Sequence, residues 1–159
     1  MIFCSDRQNA GRRDLGSRGA YLRAHDPSEA DLQSDLRDFL KGNLVGAEVL
    51  SEVSGIATGR TDLYISLGGP SFVIELKKHE GAFSPDAANR YRAQAISYQA
   101  ANVRIGFLGA LELVDRLGPV PSIEECLWHS AYVPEGGSLA RHLIVFRVPG
   151  RLKSPSALR

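Results

Sequence analysis

Two short apolar runs of this chain carry residues able to act on a phosphate ester. One is Thr61-Asp62-Leu63-Tyr64-Ile65, with Asp62, and the other is Phe72-Val73-Ile74-Glu75-Leu76-Lys77, with Glu75 and Lys77. Side chains on a strand alternate faces, so Glu75 and Lys77 point the same way. Gly68-Gly69-Pro70 between the runs is a turn signal, which makes them a hairpin. A four-residue connection at 68–71 sets Tyr64 opposite Glu75 and Asp62 opposite Lys77; a two-residue connection sets Asp62 opposite Glu75. In both registers Asp62, Glu75 and Lys77 share a face, and only an odd-length loop or a bulge would separate them. Facing carboxylates repel one another across a sheet. A Mg²⁺ or Mn²⁺ ion removes that repulsion, since a hard cation takes oxygen ligands, often one or two carboxylates plus a phosphate oxygen. Lys77 adds a compact positive charge that can hold an attacking water and offset charge building on phosphorus. Field and positioning of this kind suit phosphodiester hydrolysis. A surface hairpin with an ordinary Asp-Glu-Lys salt bridge fits the same spacing.

The elements that must position these residues follow from periodicity. Ser28 is a good N-cap, Glu29 and Asp31 sit where a helix dipole favours acids, and Leu32, Leu36, Phe39 and Leu40 recur at helical spacing before Gly42. That predicts a helix over residues 28–41. Strands are expected at 48–54, 61–67 and 71–78. A loop at 79–85 then precedes an alanine-rich helix at 86–101, ending near Asn102, and a strand at 103–108. On the second helix Gln94 and Tyr98 lie four apart on one face, with Arg90 and Tyr91 at its edge. Polar residues turned inward there need hydrogen-bond partners, which an adjacent site or a nucleic-acid backbone supplies. Further on, 112–117 reads as a short helix, 124–133 as a strand or a helix start, 143–148 as a strand, and Pro149 onward as a basic tail. Residues 1–24 lack apolar periodicity. Arg7, Arg12, Arg13, Arg18 and Arg23 stand there against Asp6 and Asp14, which predicts a flexible basic arm.

Taken in order, Gly59-Arg60-Thr61-Asp62, Phe72-Val73-Ile74-Glu75-Leu76-Lys77-Lys78 and Gln94-Ala95-Ile96-Ser97-Tyr98 resemble the PD-(D/E)XK nuclease superfamily, in its recombination-exonuclease-like branch. Thr61 stands where the family name has Pro, a position that varies within it. The resemblance spans residues 28–110 and implies a restriction-endonuclease-like α/β fold, a central mixed sheet flanked by helices with an αβββαβ core. It also implies that Asp62 and Glu75 bind Mg²⁺ or Mn²⁺, that Lys77 acts on the nucleophilic water, and that Gln94 and Tyr98 support the site. An acid of the first helix often completes the metal site, which points to Glu29, with Asp35 behind it. Lys78, Arg90 and Arg92 are then candidate phosphate contacts. On this basis residues 25–111 are the nuclease core and 112–159 an extension of the same domain. The expected substrate is DNA ahead of RNA, in bacterial restriction, defence or repair, with self-association or a partner subunit providing target choice. A non-cutting module on the same fold, binding nucleic acid or protein, and an RNA-cleaving toxin are the rivals.

Bulk properties agree without selecting among these. At 159 residues, 43% apolar and 23% charged, the chain suits one globular domain, and its net charge of +1 does not by itself point to nucleic acid. Cys4 and Cys126 stand far apart with no Cys-x-x-Cys, which argues against a zinc site or a disulfide framework and fits a reducing cytoplasm. No apolar run reaches the roughly 18 residues of a membrane span. His25, His79, His129 and His142 have no metal-ligand spacing, His79 is read as a loop residue, and Trp128 is read as packing.

Overall fold

In the computed structural model, residues 2–9, 19–56, 59–97, 99, 105–133 and 136–153 are described. Helices α1 (Ile2–Asn9) and α2 (Glu29–Asn43) precede an antiparallel meander of β1 (Glu48–Ile56), β2 (Gly59–Ser66) and β3 (Ser71–Glu80). Helix α3 (Pro85–Ser97) crosses over to β4 (Ile105–Leu113), which runs parallel to β3. Strand β5 (Leu127–Tyr132) pairs antiparallel with β6 (Arg141–Pro149), which itself lies parallel to β4. The result is a six-stranded mixed sheet in the order β1-β2-β3-β4-β6-β5, flanked by helices. The α/β architecture and the αβββαβ order of α2 through β4 are as expected.

Strand alternation divides the core into two faces. Leu63, Ile65, Ile74, Leu76, Leu111 and Phe146 pack with Leu32 and Leu36 of α2 in one cluster. Leu108, Ala110, Leu143 and Val145 pack with Phe83, Ala88 and Ala95 on the α3 side. Because Ile74 and Leu76 face α2, Glu75 and Lys77 between and beyond them face the α3 side. Helix α2 begins as Ser28 predicts, in a capping box with Asp31, and runs one residue past Gly42.

The flexible-arm expectation for residues 1–24 is corrected where the structure describes them. Phe3 and Cys4 of α1 are buried, and Phe3 packs edge-on against Phe39 of α2 with centroids 5.2 Å apart. Arg7 is buried in a two-pronged ion pair with Asp35, both contacts at 2.6 Å. Leu22, in a 3-10 turn at Ala20–Arg23, has no exposure at all. A helix this short shows no periodicity, and its buried face includes an arginine, so local patterning reads it as a solvated arm. Residues 10–18 lie outside the described residues.

The C-terminal third also differs. No helix forms at 112–117, because β4 runs on to Leu113 and carries Glu112 into the interior, only 1% exposed. Its carboxylate takes Arg116, Arg147 at 3.0 Å and the Phe83 N–H at 2.8 Å. An acid whose partners come from three separated segments reads locally as a helix start. The segment at 124–133 forms a 3-10 turn, Glu124–Cys126, followed by β5. Beyond Pro149 the chain stays attached, with Gly150 N–H donating to Glu112 O and Leu152 N–H to Leu22 O, each at 2.8 Å. The second helix ends at Ser97 and Gln99 already lies outside it, short of the expected 101; Asn102 and the proposed tail at 154–159 lie outside the described residues.

Candidate active site

The hairpin closes on Gly68-Gly69, with Leu67 N–H donating to Pro70 O at 3.0 Å and Gly68 at φ 60°, a backbone that glycine takes without strain. The ladder runs Ser66–Ser71, Ile65–Phe72, Tyr64–Val73 and Leu63–Ile74. This is the two-residue register of the pair considered, and the four-residue alternative is not the one formed; the last ladder pair is Leu63–Ile74, one step short of Asp62 and Glu75.

Pairing between β2 and β3 ends there. Strand β2 continues with β1 to Gly59, while β3 continues to Glu80 with β4 on its other edge. The edge of β3 that β2 has left must still satisfy its N–H groups. Two carboxylates do this: Asp62 Oδ2 accepts from Leu76 N–H at 2.6 Å, and Glu29 Oε2 accepts from Lys78 N–H at 2.9 Å. Gln33, one turn beyond Glu29, donates through Nε2 to Asp62 O at 2.8 Å and ties α2 to β2. Asp62 and Glu29 are thereby fixed on either side of Lys77 by main-chain geometry.

Glu75 lies at the centre, 2% exposed. Its Oε1 meets Lys77 Nζ at 2.5 Å, and its Oε2 is buried with no hydrogen-bond partner. Burial pushes its carboxyl up to about 7; the bond to Lys77 opposes the rise, and the negative charges of Asp62 and Glu29 add to it. Asp62 is also raised, by burial, against the pull of the Leu76 N–H and of the Lys77 and Arg60 charges. Burial works to lower Lys77, but its bond to Glu75 and the surrounding acids leave it raised.

An all-carboxylate donor set with an orphaned oxygen fits a hard divalent cation such as Mg²⁺. The acids feel one another's charge without forming a closed cage. Among the described residues no group of three or more His, Cys, Asp or Glu side chains stands close enough together to hold a metal ion.

Comparison with known proteins adds little. No family model matches the sequence, and no curated protein matches it. Among solved structures, a chain of a half-complex from a tetradecameric assembly of Thermococcus gammatolerans McrB AAA+ hexamers with bound McrC is similar over 76% of this chain. The match spans 27% of that chain, at 14% identity and a TM-score of 0.46, and carries no weight for fold or activity. Among the described residues no helix is long and apolar enough to cross a membrane.

The other expected site residues divide. Asp35 is held in the interior by Arg7 and by Tyr21 Oη at 3.0 Å, so of these two α2 acids it is Glu29 that reaches the strand carrying Glu75 and Lys77. Gln94 does not turn inward; its side chain is exposed. Alanines at 88 and 95 give α3 its buried face and leave Gln94 off it. Tyr98 lies outside the described residues. Arg90 is exposed, and Arg92 leans over the Tyr132 ring of β5 at 4.9 Å, the far edge of the sheet from β2 and β3. Arg92 therefore stands apart from Asp62, Glu75 and Lys77. Lys78 points to the face opposite Lys77, paired with Asp26 and, at 3.8 Å, with Glu80. His79 belongs to β3 and not to a loop. It is buried, with Nδ1 3.1 Å from Tyr91 Oη, and fastens α3 to the strand that carries Glu75 and Lys77. Trp128 packs on Phe83 with centroids 5.7 Å apart, as expected of a packing residue. Sequence reasoning passed over Gln33, although its four-residue offset from Glu29 places both on one helix face.

The raised Glu75 carboxyl has a consequence for stability. Between the ordinary value of 4.5 and about 7 the folded chain holds a proton that the unfolded chain releases. Stability contributed by this group is therefore present at low pH and lost as pH rises through that window, flat above about 7. A shift of this size corresponds to on the order of 3 kcal/mol. Urea midpoints measured from pH 4.5 to 8 without divalent metal should show this decline in wild type and a flatter profile in Glu75→Gln. Identical profiles would mean that Glu75 ionises normally.

Proposed function

We propose that the chain is a Mg²⁺- or Mn²⁺-dependent nuclease of the PD-(D/E)XK type that hydrolyses phosphodiester bonds in DNA. The observation that carries this proposal is the buried Glu75, with one oxygen on Lys77, one without a partner, and Asp62 beside it, fastened to the Leu76 N–H. Asp62 and Glu75 would hold the metal, with Glu29 outside that pair, because the three acids do not stand close enough together to hold an ion between them. When bound, the ion supplies Lewis acidity toward water and the scissile phosphate. Lys77, held within 2.5 Å of Glu75, is positioned to orient the attacking water and to offset charge developing on phosphorus. Asp62 and Glu29 keep their places because each is fastened to a β3 N–H. Target choice would come from a partner chain or from self-association.

Plasmid nicking in Mg²⁺ or Mn²⁺, with EDTA as control, tests the proposal, with labelled DNA and RNA compared side by side. Metal-dependent cleavage of DNA is the expected result. Cleavage of RNA alone would move the substrate, and no cleavage of either would overturn the assignment. One observation favours a non-cutting binding module instead: Asp62 and Glu29 each already accept a main-chain hydrogen bond, and the acids form no closed cage. Calorimetric titration with Mn²⁺ separates the two, since a module that only binds nucleic acid would take up no metal through Glu75.

A further inference from the structure

The site is rich in acids, and most of its cations are already engaged. Lys77 is held by Glu75, and its neighbour Lys78 turns to the opposite face, onto Asp26 and Glu80. A phosphodiester approaching Asp62, Glu75 and Glu29 needs a cation that can be freed at little cost. Arg60 fits that need. It lies two residues before Asp62 on β2, on the same face, in ion-pair contact with Glu52 of β1. Both side chains of this pair are more than half exposed, at 60% and 53%, and an exposed pair is worth little in water. Exchanging Glu52 for a phosphate oxygen therefore sacrifices little.

Glu52 is itself unusual. Residues of β1 and β2 pair in steady register at Ser51–Leu63 and Val53–Thr61, but the intervening Glu52–Asp62 pair is missing. Glu52 has φ 58°, a left-handed backbone that a side chain with a Cβ adopts only against steric resistance. Such outliers persist where the surroundings hold them and gather at working sites. Here the outlier stands directly across from Asp62. The charges of both Arg60 and Glu52 act on Asp62, in opposite senses, which places the pair within electrostatic reach of the carboxylate.

We infer that Arg60 is a substrate-phosphate contact of this site and that Glu52 is its resting partner, released when the phosphate backbone docks. The inference rests on the nuclease proposal for the position of the backbone, but it can be tested by binding alone. Affinity of a fluorescein-labelled DNA duplex, measured by anisotropy with Ca²⁺ in place of Mg²⁺ over a range of salt, is the readout. Arg60→Ala should weaken binding roughly tenfold and reduce the salt slope by about one, as loss of one phosphate contact does. In cleavage assays the loss should fall mainly on KM. Glu52→Gln should tighten binding by freeing Arg60, and that gain should vanish when Arg60 is already alanine.

An undiminished Glu52→Gln gain in the Arg60→Ala background would show a general charge effect and overturn the pairing. Unchanged affinity and slope in Arg60→Ala would overturn the contact itself. DNA binding that depends on Arg60 without any cleavage would sink the nuclease proposal and leave this one standing. Cleavage that is indifferent to Arg60 would do the reverse, and a wild type that neither binds nor cuts would sink both.

Discussion

Glu75→Gln is expected to reduce metal-dependent DNA cleavage by at least about a hundredfold, the scale on which loss of a transition-state-stabilising group is felt, without weakening the fold at pH 8. The two halves of this result come from the same observation. Glu75 Oε2 is buried and unpartnered, so the ionised carboxylate is held at a free-energy cost that only a cation would recover. An amide of the same shape carries no charge to desolvate, and its oxygen can still accept from Lys77. Lys77→Ala should behave differently. It removes the bond that Glu75 Oε1 makes at 2.5 Å and leaves a buried carboxyl with neither oxygen paired. Removing one partner of a buried pair typically costs several kcal/mol, although protonation of Glu75 caps the loss here. Both variants should lose cleavage, but only Lys77→Ala should lower the melting temperature at pH 8. Nicking assays and thermal melts on the same preparations check this. Full activity in Glu75→Gln would end the proposed role, and equal destabilisation by both variants would mean that the orphaned oxygen is satisfied in solution.

What could be read from the sequence was whatever depends on short-range alternation. Glu75 and Lys77 had to share a face, and Gly68-Gly69 had to close a hairpin that brought Asp62 to the same side. Counting alone left two registers open, because Pro70 can either end a longer loop or, as it does, pair through its carbonyl with Leu67 N–H. The separation of β2 from β3 beyond Leu63 was not legible, and neither was the use of Asp62 and Glu29 to cover the exposed strand edge. That divergence depends on how β1 draws β2 away over the Gly59 end, a non-local matter. Polar residues with distant partners were misread throughout. Asp35 looked like the alternative to Glu29 as a metal ligand, Arg7 like part of a solvated arm, and Glu112 like a helix start. Each is buried against a cation or an anion far along the chain, and local patterning assigns such charges to solvent.

The largest effect on stability is expected at Arg7 and Asp35, far from the proposed chemistry. The guanidinium donates through Nε and Nη2 to the two carboxylate oxygens, each at 2.6 Å, and the side chains are 10% and 3% exposed. Tyr21 Oη adds a bond to the same carboxylate at 3.0 Å, so α1, the Ala20–Arg23 turn and α2 meet on one buried charge. Phe3 and Phe39 flank the Arg7 guanidinium at 4.9 and 5.9 Å and shield the pair from solvent. Asp35→Ala or Arg7→Ala should therefore each cost about 3–5 kcal/mol, the range for stranding one member of a buried pair. Should either single variant fail to fold, the double variant Arg7→Met/Asp35→Leu keeps the measurement possible. Replacing both charges with apolar side chains of similar volume is expected to restore most of the wild-type urea midpoint, because desolvation offsets much of what the pair contributes. If the singles lose less than about 1 kcal/mol, in the range of an exposed pair, α1 is not docked in solution. The N-terminal segment would then be the mobile basic arm that its composition describes.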